Sequence, residues 1–463
     1  MAKSFKHMSK RIHFIGIGGI GMSGIAQLCL KKGYKVSGSD INESDSTQNL
    51  ARLGADIHIG HSRECIKDKD LIVYSSAITS ENCELDEAIR KKIAVVKRAE
   101  LLASLMDKQT VIAVTGAHGK TTTSSLAAHL LNEANLSPTI AVGGIVNNIS
   151  NNAKLGLGKY FVAEADESDG SFLFYKPDYS IITNIDYEHL DFYQTFENVR
   201  EAFKKFILNT QKDGCVFWCF DDKELYNIIK DIKKRNISFG LDEKADIYAS
   251  NIKFDSFSSQ FDVFYKNKFV DKFGLSIAGR HNISNSLSVI ALGLELKLDE
   301  GLIKKALKSF SGAKRRFQVE YNQDDILVIN DYAHHPTEIR ATIETAKRLN
   351  KKRLVVVFQP HRYTRMKYLL EKFSKSFFDA DYLFITDIYS AGETKIDGVD
   401  VANLYNIMNK FAKPQTRFAD RNMLVTEVLN FVQKGDLLLF LGAGDINKIC
   451  YGLVRELKRK SKV

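Results

Sequence analysis

The chain has 463 residues, of which 44% are hydrophobic and 26% are charged. This balance is typical of a folded globular protein and excludes disordered and fibrous chains. No apolar run reaches the roughly 18 residues that a membrane-spanning helix needs. The basic start of the chain leads directly into a strand pattern, without an apolar signal segment. We therefore expect a cytoplasmic protein of two to four domains with no membrane partner.

The formal net charge of +10 is compatible with nucleic acid or with acidic small molecules as partners. The lysines are scattered, and the sequence contains no zinc finger, helix-turn-helix or RNA-binding aromatic motif. The charge pattern therefore favours phosphorylated or carboxylated small substrates and no nucleic acid. The six cysteines form no CxxC pair, which argues against a disulfide framework or a zinc ribbon, and Cys215 and Cys219 are predicted to be core residues on one face of a strand.

Short apolar runs alternate with helical segments along the chain, which is the pattern of parallel sheets covered by helices. New strand-and-loop units begin near residues 107 and 312. We predict an α/β protein of three domains, each with a largely parallel sheet. The domains are a Rossmann-like domain over 1–106, a P-loop ATPase-like domain over 107–312 and a second Rossmann-like domain over 313–463.

A glycine-rich loop opens the first domain. The segment GIGGIGMSG contains Gly16-x-Gly18-x-x-Gly21 between a predicted strand and a predicted helix, and Asp40 closes the next strand. Glycines permit a tight turn and a close approach of the backbone to a diphosphate, and the helix N-terminus supplies N–H groups. The loop therefore predicts diphosphate recognition, and the ligand is either a dinucleotide or a nucleotide sugar.

A second phosphate loop, VTGAHGKTTT, opens the second domain with spacing shorter than that of the usual P-loop, because its first glycine is Gly116 and position 114 is Val114. Lys120 is suited to neutralise β- and γ-phosphate charge, and Thr121 offers a hydroxyl to Mg²⁺. The loop therefore predicts nucleoside triphosphate binding.

An acidic partner for the metal is expected at the end of the strand in KYFVAEADESD, where Glu164, Asp166 and Glu167 are all candidates. A further buried strand leads into the segment TNIDYEHLDFY, which contains His189. Mg²⁺ prefers oxygen ligands, so a histidine there is by itself a weaker metal candidate.

Nine motifs in order along nearly the whole chain resemble those of the Mur ligases. They are HFIGIGGIGMSGIA, VTGAHGKTTT, AEADESDGSF, TNIDYEHLDFY, GRHNISNSLSVIA, RRFQ, DYAHHPTEI, QPHRYTR and LGAGDI. The resemblance implies an N-terminal domain for a UDP-sugar, a central ATPase domain and a C-terminal domain for an amino acid. The implied reaction joins L-alanine to the lactyl carboxylate of UDP-N-acetylmuramate through an acyl phosphate, with ATP as co-substrate and Mg²⁺ or Mn²⁺ as metal. It is the first peptide step in making the peptidoglycan precursor.

The resemblance also implies roles for individual residues. The UDP-sugar set comprises Gly16, Gly18, Gly19, Gly21 and Asp40. The ATP set comprises Gly116, Ala117, His118, Gly119, Lys120, Thr121 and Thr122, together with Asn285 and the third-domain Arg316. The metal set comprises Thr121, Glu164 and His189, and Glu167 remains an alternative to Glu164. Lys204 and Lys205 are positions at which carbamylation, known in some relatives, is to be tested, and neither is assigned.

In the third domain the resemblance places Tyr332, His334 and Arg365 near alanine and the reacting carboxylate, with Arg362 close by. The catalytic set is thus Lys120, His189, His334 and Arg365. Either His334 or His335 is a candidate to accept the amine proton, because both stand at a strand end before a helix that starts with proline.

Two other functions remain as alternatives. The nearest is a recycling ligase that attaches a whole tripeptide to the same UDP-sugar. The second is an NAD-dependent oxidoreductase, suggested by the first glycine loop alone, which leaves the Gly-Lys-Thr loop unexplained. The sequence makes no prediction of the oligomeric state.

Overall fold

The computed structural model describes residues 11–75, 77–411 and 413–461. The basic residues 1–10 at the start of the chain therefore lie outside the described part. Three β-sheets of five, ten and six strands confirm the predicted α/β class with three largely parallel sheets. The chain forms two compact units, of which the first runs to Lys253 and adds Gln260–Ser276 and Ile283–Ala313. The second comprises Phe254–Ser259, Ile277–Asn282 and the chain from Lys314.

The first sheet is built from strands that alternate with helices. Its elements are β1 (Arg11–Ile15), α1 (Ile20–Lys31), β2 (Lys35–Asp40), α2 (Asp45–Arg52), β3 (Asp56–Ile59), β4 (Leu71–Tyr74), α3 (Cys83–Arg90), β5 (Ala94–Lys97) and α4 (Arg98–Leu105), with a short 3₁₀ turn at Arg63–Ile66. All strands are parallel, in the order β3-β2-β1-β4-β5. This is the order of dinucleotide-binding folds, whose ligands gather at the carboxyl ends of the strands where the order reverses. The loop after β1 lies at that point.

The second sheet has ten strands and, like the first sheet, belongs to the first unit. Two short segments of this region, Phe254–Ser259 and Ile277–Asn282, belong to the second unit. Its elements are β6 (Thr110–Thr115), α5 (Lys120–Glu133), β7 (Thr139–Val146), β8 (Asn151–Lys154), β9 (Tyr160–Glu164), β10 (Tyr179–Ile182), α6 (Leu190–Tyr193), α7 (Phe196–Asn209), β11 (Cys215–Cys219), α8 (Lys223–Ile229), β12 (Asn236–Gly240), β13 (Ile247–Asp255), β14 (Ser258–Tyr265), β15 (Lys268–Leu275), α9 (Arg280–Glu295) and α10 (Glu300–Ser309), with 3₁₀ turns at Asn147–Ile149 and Ser171–Phe174. The order is β15-β14-β13-β12-β11-β10-β6-β9-β7-β8. Strand β6 lies between β10 and β9 and is parallel to both, so the loops that follow these three strands meet at one edge.

The third sheet forms the body of the second unit. Its elements are β16 (Gln318–Gln323), β17 (Ile326–Asp331), α11 (Pro336–Lys347), β18 (Arg353–Phe358), α12 (Tyr363–Ser374), β19 (Tyr382–Ile385), α13 (Val401–Met408), β20 (Gln415–Phe418), α14 (Leu424–Phe431), β21 (Asp436–Leu441) and α15 (Ile446–Lys460). The order is β16-β17-β21-β18-β19-β20, and only the pairing of β16 with β17 is antiparallel. Strands β17, β18 and β21 are therefore neighbours, and their carboxyl ends lie side by side.

Alternation along the central strands places apolar side chains on both faces of the third sheet. In β21, Leu437, Leu439 and Leu441 pack into one core, whereas Leu438 and Phe440 pack into the other. Such continuous apolar strands are expected when helices cover both faces of a parallel sheet. Within the described part of the chain, no helix is long and apolar enough to cross a membrane.

The cysteines agree with the prediction for them. Cys215 and Cys219 are the first and last residues of β11, both are buried and both carry free thiols. Burial raises the pKa of each thiol to about 12. They are therefore core residues of a strand.

Candidate active site

The glycine loop of the first sheet is held by the end of the neighbouring strand. The N–H groups of Gly16 and Ile17 both donate to the carbonyl oxygen of Ser39, at 2.8 and 3.0 Å. The N–H of Gly18 donates to Oδ2 of Asp40 at 2.8 Å. Gly16 has a φ of +78°, in the left-handed region that glycine adopts without strain. Asp40 therefore helps to fix the conformation of the loop.

Helix α1 begins beyond this loop without a side-chain cap, since its first flanking residue is Gly19. A side chain on Gly18 would displace Asp40, because its Cβ would lie 2.9 Å from Oδ2 of that residue. A Cβ on Gly21 would lie 2.9 Å from Nη1 of Arg98, at the start of α4. Sequence reasoning missed Arg98, whose only signal is its position directly after a strand of the same sheet.

The second loop, between β6 and α5, is shaped by two glycines with positive φ. Gly116 has a φ of +135° and Gly119 a φ of +83°. A Cβ on Gly116 would lie 2.1 Å from Oγ1 of Thr183. Any other residue at position 116 would therefore clash as well as be strained, which explains why the first glycine of this shortened loop stands there.

Residues that follow β10 hold the same loop from the other side. Asn184 accepts from the N–H groups of Ala117 and His118 through its carbonyl oxygen and Oδ1, at 3.1 and 2.8 Å. Its Nδ2 donates to the carbonyl oxygen of His118 at 3.0 Å. The imidazole Nε2 of His118 lies 3.0 Å from Oδ2 of Asp186. The sequence analysis singled out only His189 in this segment. The residues that contact the second glycine loop are in the preceding TNID stretch, at positions 183–186.

Lys120 is the first residue of α5 and its ammonium points back into the loop. Its Nζ donates to the carbonyl oxygens of Gly116 and Ala117, at 2.7 and 3.2 Å, and to Oε1 of Glu167 at 2.9 Å. Burial alone would lower the pKa of Lys120, but the nearby carboxylates, with Glu167 first, raise it above its ordinary value. The group is therefore a fixed positive charge in the loop that the sequence predicts to bind phosphate.

Glu164, at the end of β9, contacts the loop from the opposite side. Its Oε2 accepts from the N–H of Gly143 at 2.9 Å. Burial raises the pKa of Glu164, although Lys120, the N–H of Gly143 and the hydroxyl of Thr121 favour its charged form. The structure thus brings Thr121 and Glu164 together.

Glu167 is the carboxylate that faces His189. It is 2% exposed, and its Oε1 lies 3.5 Å from Nε2 of His189 in addition to its contact with Lys120. Its Oε2 is buried and has no hydrogen-bond partner among the described residues. The hydroxyl of Tyr193 donates to the backbone carbonyl of Glu167 at 2.6 Å and fixes its position.

His189 starts the short helix α6 with a φ of +57°. Its Nε2 also lies 3.8 Å from Oε2 of Glu188. Burial would lower the pKa of His189, but Glu167 and Glu188 outweigh it and raise the pKa. One hydroxyl, two carboxylates and one imidazole are a donor set that suits Mg²⁺ or Mn²⁺, and the partnerless Oε2 of Glu167 is an oxygen that such an ion would satisfy.

Asn285 and Thr122, also predicted to bind the nucleotide, lie in the same unit, whereas Arg316 belongs to the second unit. Asn285, on α9, is buried against the loop, because a Cβ on Gly119 would lie 2.8 Å from its Oδ1. Thr122 is buried in the first turn of α5. Lys204, on α7, is half exposed and lies 3.9 Å from Glu201, and Lys205 is exposed.

In the second unit, the residues predicted to bind the amino-acid substrate lie near the end of β17. The ring of His334 lies edge-on to the rings of Tyr332 and His361, with centroids 5.3 and 5.5 Å away. The guanidinium carbons of Arg315 and Arg316 lie 4.9 and 5.1 Å from the centre of the Tyr332 ring. Aromatic and cationic groups therefore surround the end of this strand.

The two adjacent arginines have different surroundings. Arg315 is partly buried, which lowers its pKa, and its Nη2 donates to the carbonyl oxygens of Gly442 and Gly444 at 2.6 and 3.0 Å. It thus ties the late LGAGDI loop to β17. Nη1 of Arg316 lies 3.9 Å from Oε1 of Glu338. Its predicted contact with ATP stays a prediction.

Asp331, the last residue of β17, fixes the backbone on both sides. Its two oxygens accept from the N–H groups of Ala333 and Phe317, each at 2.7 Å. Burial raises the pKa of Asp331 to about 6, although Arg316 and these two hydrogen bonds favour the carboxylate.

Arg365 and Arg362 lie at the start of α12. Nη1 of Arg365 lies 3.0 Å from Nδ1 and donates to the backbone carbonyl of His361 at 3.1 Å. Nη1 of Arg362 lies 3.8 Å from Glu393, which also accepts from the N–H and hydroxyl of Thr364. His361 contacts both Arg365 and His334. The residues predicted to bind alanine therefore form one connected group.

Comparisons with known proteins agree with this arrangement. Family models for the Mur ligase catalytic domain, the middle domain and the glutamate ligase domain match residues 11–110, 114–293 and 315–444. The chain is 45% identical over 450 residues to a UDP-N-acetylmuramate–L-alanine ligase from Geotalea uraniireducens (strain Rf4), covering 97% of this chain and 98% of that protein.

Among solved structures, the chain is similar to a UDP-N-acetylmuramate-alanine ligase from Thermotoga maritima, with a TM-score of 0.83 and 31% identity over 98% of this chain and 100% of the other. A murein peptide ligase from Psychrobacter arcticus shares the fold at a TM-score of 0.70 and 23% identity, over 96% and 98% of the two chains. The three matched regions together cover most of the chain, and the chain belongs to the Mur ligase family.

Proposed function

We propose that this chain joins L-alanine to the lactyl carboxylate of UDP-N-acetylmuramate and converts ATP to ADP and phosphate. The observation that carries the proposal is that Lys120 meets Glu167, and Thr121 lies near Glu164, at the second glycine loop, in a unit that also contains the first glycine loop. The extended similarity to ligases named for this reaction supports the choice of substrates.

The proposed division of labour follows the three sheets. Residues 1–106 hold the UDP-sugar, residues 107–312 hold ATP and residues 313–463 hold the amino acid. At the first loop the proposed diphosphate ligands are the groups already named, Gly16, Gly18, Gly19, Gly21 and Asp40. At the second loop the proposed ATP residues are Gly116, Ala117, His118, Gly119, Lys120, Thr121 and Thr122, with Asn285 and Arg316.

The chemistry explains why a phosphate loop is needed. A carboxylate is a poor electrophile, so an amine does not displace its oxygen at neutral pH. Phosphoryl transfer from ATP to the carboxylate gives an acyl phosphate with a good leaving group, and positioning and charge neutralisation supply most of the catalysis of that step. Lys120 is the group that neutralises phosphate charge. To do so it must exchange the carbonyl oxygens of Gly116 and Ala117 for phosphate oxygens.

Two divalent cations are expected to complete the site. Thr121 and Glu164 would hold one ion, and Glu167 and His189 would hold a second. The sequence-based assignment contained Thr121, Glu164 and His189, and the structure adds Glu167 because its carboxylate faces the histidine. Such an ion, when bound, neutralises phosphate charge and polarises phosphoryl oxygens.

For the second half-reaction we propose that Tyr332, His334 and Arg365 contact alanine and the reacting carboxylate. The cationic side chains around the end of β17 are suited to carboxylates and to the oxyanion of a tetrahedral intermediate. A soluble nucleotide sugar, ATP and a free amino acid are the proposed partners, and we propose the cytoplasm as the place of the reaction.

Phosphate release and product mass test the proposal. The chain with ATP and Mg²⁺ should release phosphate only when UDP-N-acetylmuramate and L-alanine are both present, and the product should gain the mass of one alanine residue. A matched reaction with a tripeptide in place of alanine tests the recycling activity. Competition with serine and glycine measures the strictness for alanine. Phosphate release without either acceptor, or product only with the tripeptide, would contradict the proposal.

A further inference from the structure

The carboxylate of Glu338 lies against the backbone and the imidazole of His334. Glu338 is in the first turn of α11, and its Oε2 accepts from the N–H of His334 at 3.1 Å and lies 3.3 Å from Nδ1 of the same residue. A second acceptor, the carbonyl oxygen of Tyr332, lies 2.9 Å from that Nδ1. Neither oxygen can donate a hydrogen bond, so Nδ1 must carry the proton.

This arrangement decides the tautomer of His334. With the proton on Nδ1, the neutral imidazole carries its lone pair on Nε2, which is the atom able to take a proton from a substrate. A carboxylate beside Nδ1 also stabilises the imidazolium that then forms, as in other base–carboxylate pairs.

The neighbouring histidine is arranged differently. His335 is fully buried, and its Nδ1 accepts the N–H of Thr337 at 3.3 Å in a helix cap. Its Nδ1 therefore has no proton, and the side chain serves the start of α11. The sequence left the choice between the two histidines open, and this geometry favours His334 as the base.

We propose that Glu338 is a positioning residue for amide formation, holding His334 in the tautomer that accepts the proton of alanine. The proposal rests on the proposed function. Alanine enters as the amine after releasing its ammonium proton, and its nitrogen forms a bond to the carbonyl carbon of the acyl phosphate. The bond from that carbon to the phosphate oxygen breaks with its electron pair, inorganic phosphate leaves, and the proton lost by nitrogen goes to Nε2 of His334.

Other charged groups also face this pair. Arg316 lies 3.9 Å from Oε1 of Glu338, the ring of His361 lies beside that of His334, and Arg365 contacts His361. Tyr332 contributes its ring and its backbone carbonyl. Glu338 is the carboxylate that these contacts place against the imidazole of His334. Its neutralisation also removes a carboxylate 3.9 Å from Arg316, whose loss the ATP-dependent hydroxylamine reaction would report.

Replacing Glu338 by glutamine tests the proposal, because glutamine also serves at this position of a capping box and should preserve the helix start. The control is Glu344→Gln, which removes an exposed carboxylate from the same helix. Each variant is assayed with ATP and UDP-N-acetylmuramate, once with alanine and once with hydroxylamine, which is largely uncharged at neutral pH and traps the acyl phosphate without needing a base.

We expect Glu338→Gln to lower kcat with alanine about 10- to 100-fold, below the full range of a general base, and to leave hydroxamate formation within about twofold of wild type. The acidic limb of the kcat profile with alanine should move to lower pH, because the imidazolium loses its neighbouring anion. Equal loss in both reactions, or behaviour like that of Glu344→Gln, would overturn the proposal. Failure of the wild-type chain to form the alanine product would instead count against the proposed function.

Discussion

Glu84 provides a quantitative test of how the first glycine loop is held. This carboxylate is fully buried at the start of α3 and accepts from Ser39 Oγ at 2.6 Å and from the N–H of Ser62 at 3.0 Å. Nε2 of His13 lies 3.3 Å away. Ser39 is also the residue whose carbonyl oxygen accepts from the N–H groups of the glycine loop. Glu84 therefore supports the loop through one intermediate residue.

The pKa of Glu84 gives the size of the effect. Burial alone would raise the pKa, but the hydrogen bonds from His13, Ser39 and Ser62 outweigh it and lower the pKa from 4.5 to about 2. At 1.36 kcal/mol per pKa unit, this difference corresponds to about 3 kcal/mol. His61, on one flank, is partly exposed, and solvent there screens part of the interaction, so we expect about 2 kcal/mol. Because the folded pKa is lowered, this stability is present above pH 4.5 and is lost as the pH falls toward 2.

Glu84→Gln should thus lower the free energy of unfolding of the first sheet by about 2 kcal/mol at pH 7, and the difference from wild type should shrink below pH 4.5. The only tryptophan, Trp218, lies in β11 of the second sheet, so its fluorescence reports on a different region. Hydrogen exchange of peptides from β1 and β2, measured at pH 7 and at pH 3, reports on the first sheet. The KM for UDP-N-acetylmuramate should rise with little change in kcat.

The control is Asp86→Asn on the same helix, where the carboxylate is 58% exposed and pairs with an exposed arginine. A surface pair of this kind contributes little to stability, so the control should exchange as wild type does. This account of Glu84 is refuted if Glu84→Gln exchanges like the control at pH 7, or if its deficit is the same at pH 3 as at pH 7.

Three further predictions concern the second loop. Lys120→Ala should abolish hydroxamate formation, because phosphate charge is no longer neutralised, while calorimetry should still detect binding of UDP-N-acetylmuramate; lost binding in a folded variant would contradict the domain assignment. Glu167→Gln should raise the Mg²⁺ concentration for half-maximal activity more than Glu164→Gln does, because Glu167 faces His189 and has the partnerless oxygen; the reverse order in a metal titration would favour Glu164 as the main ligand. Gly143→Ala should reduce activity at least tenfold with an unchanged circular dichroism spectrum, because its Cβ would lie 2.3 Å from Oε1 of Glu164, and wild-type activity would show that this carboxylate need not stay in place.

The sequence predicted the fold class because its signals are local. Apolar strands such as LIVY and DLLLFL, each followed by a loop and a helix, need only short-range patterns to be recognised. The edge strands β16 and β20 were not predicted. They are half exposed and polar, as QVEYNQ and QTRF show, so their pairing depends on a neighbouring strand that the local pattern does not reveal.

The site residues show the same contrast between local patterns, which could be predicted, and tertiary contacts, which could not. Lys120 and the glycines were found because a phosphate loop is contiguous in sequence. Asn184 was missed because it holds a loop that is distant in sequence, at His118. Glu338 was missed because its contact with the side chain of His334 is formed by the fold at the start of a helix, and the sequence spacing does not indicate it. Arg315 and Arg316 are adjacent in sequence, yet only the tertiary structure shows that the first donates hydrogen bonds to a distant loop.

The segment AEADESD also shows why three neighbouring acids could not be separated by sequence. Glu164 accepts from Gly143, Asp166 accepts from the N–H of Ser168 at 3.0 Å, and Glu167 meets Lys120. Three carboxylates so close would repel one another if they shared one environment, since like charges in a low-dielectric site disfavour ionisation. Each has instead its own donor, and the donors come from three different places in the chain. Among the three, only Glu167 combines contacts with Lys120 and His189 and an oxygen that has no partner among the described residues. We therefore expect Glu167 to bind the metal, because of its tertiary neighbours rather than its position in the segment.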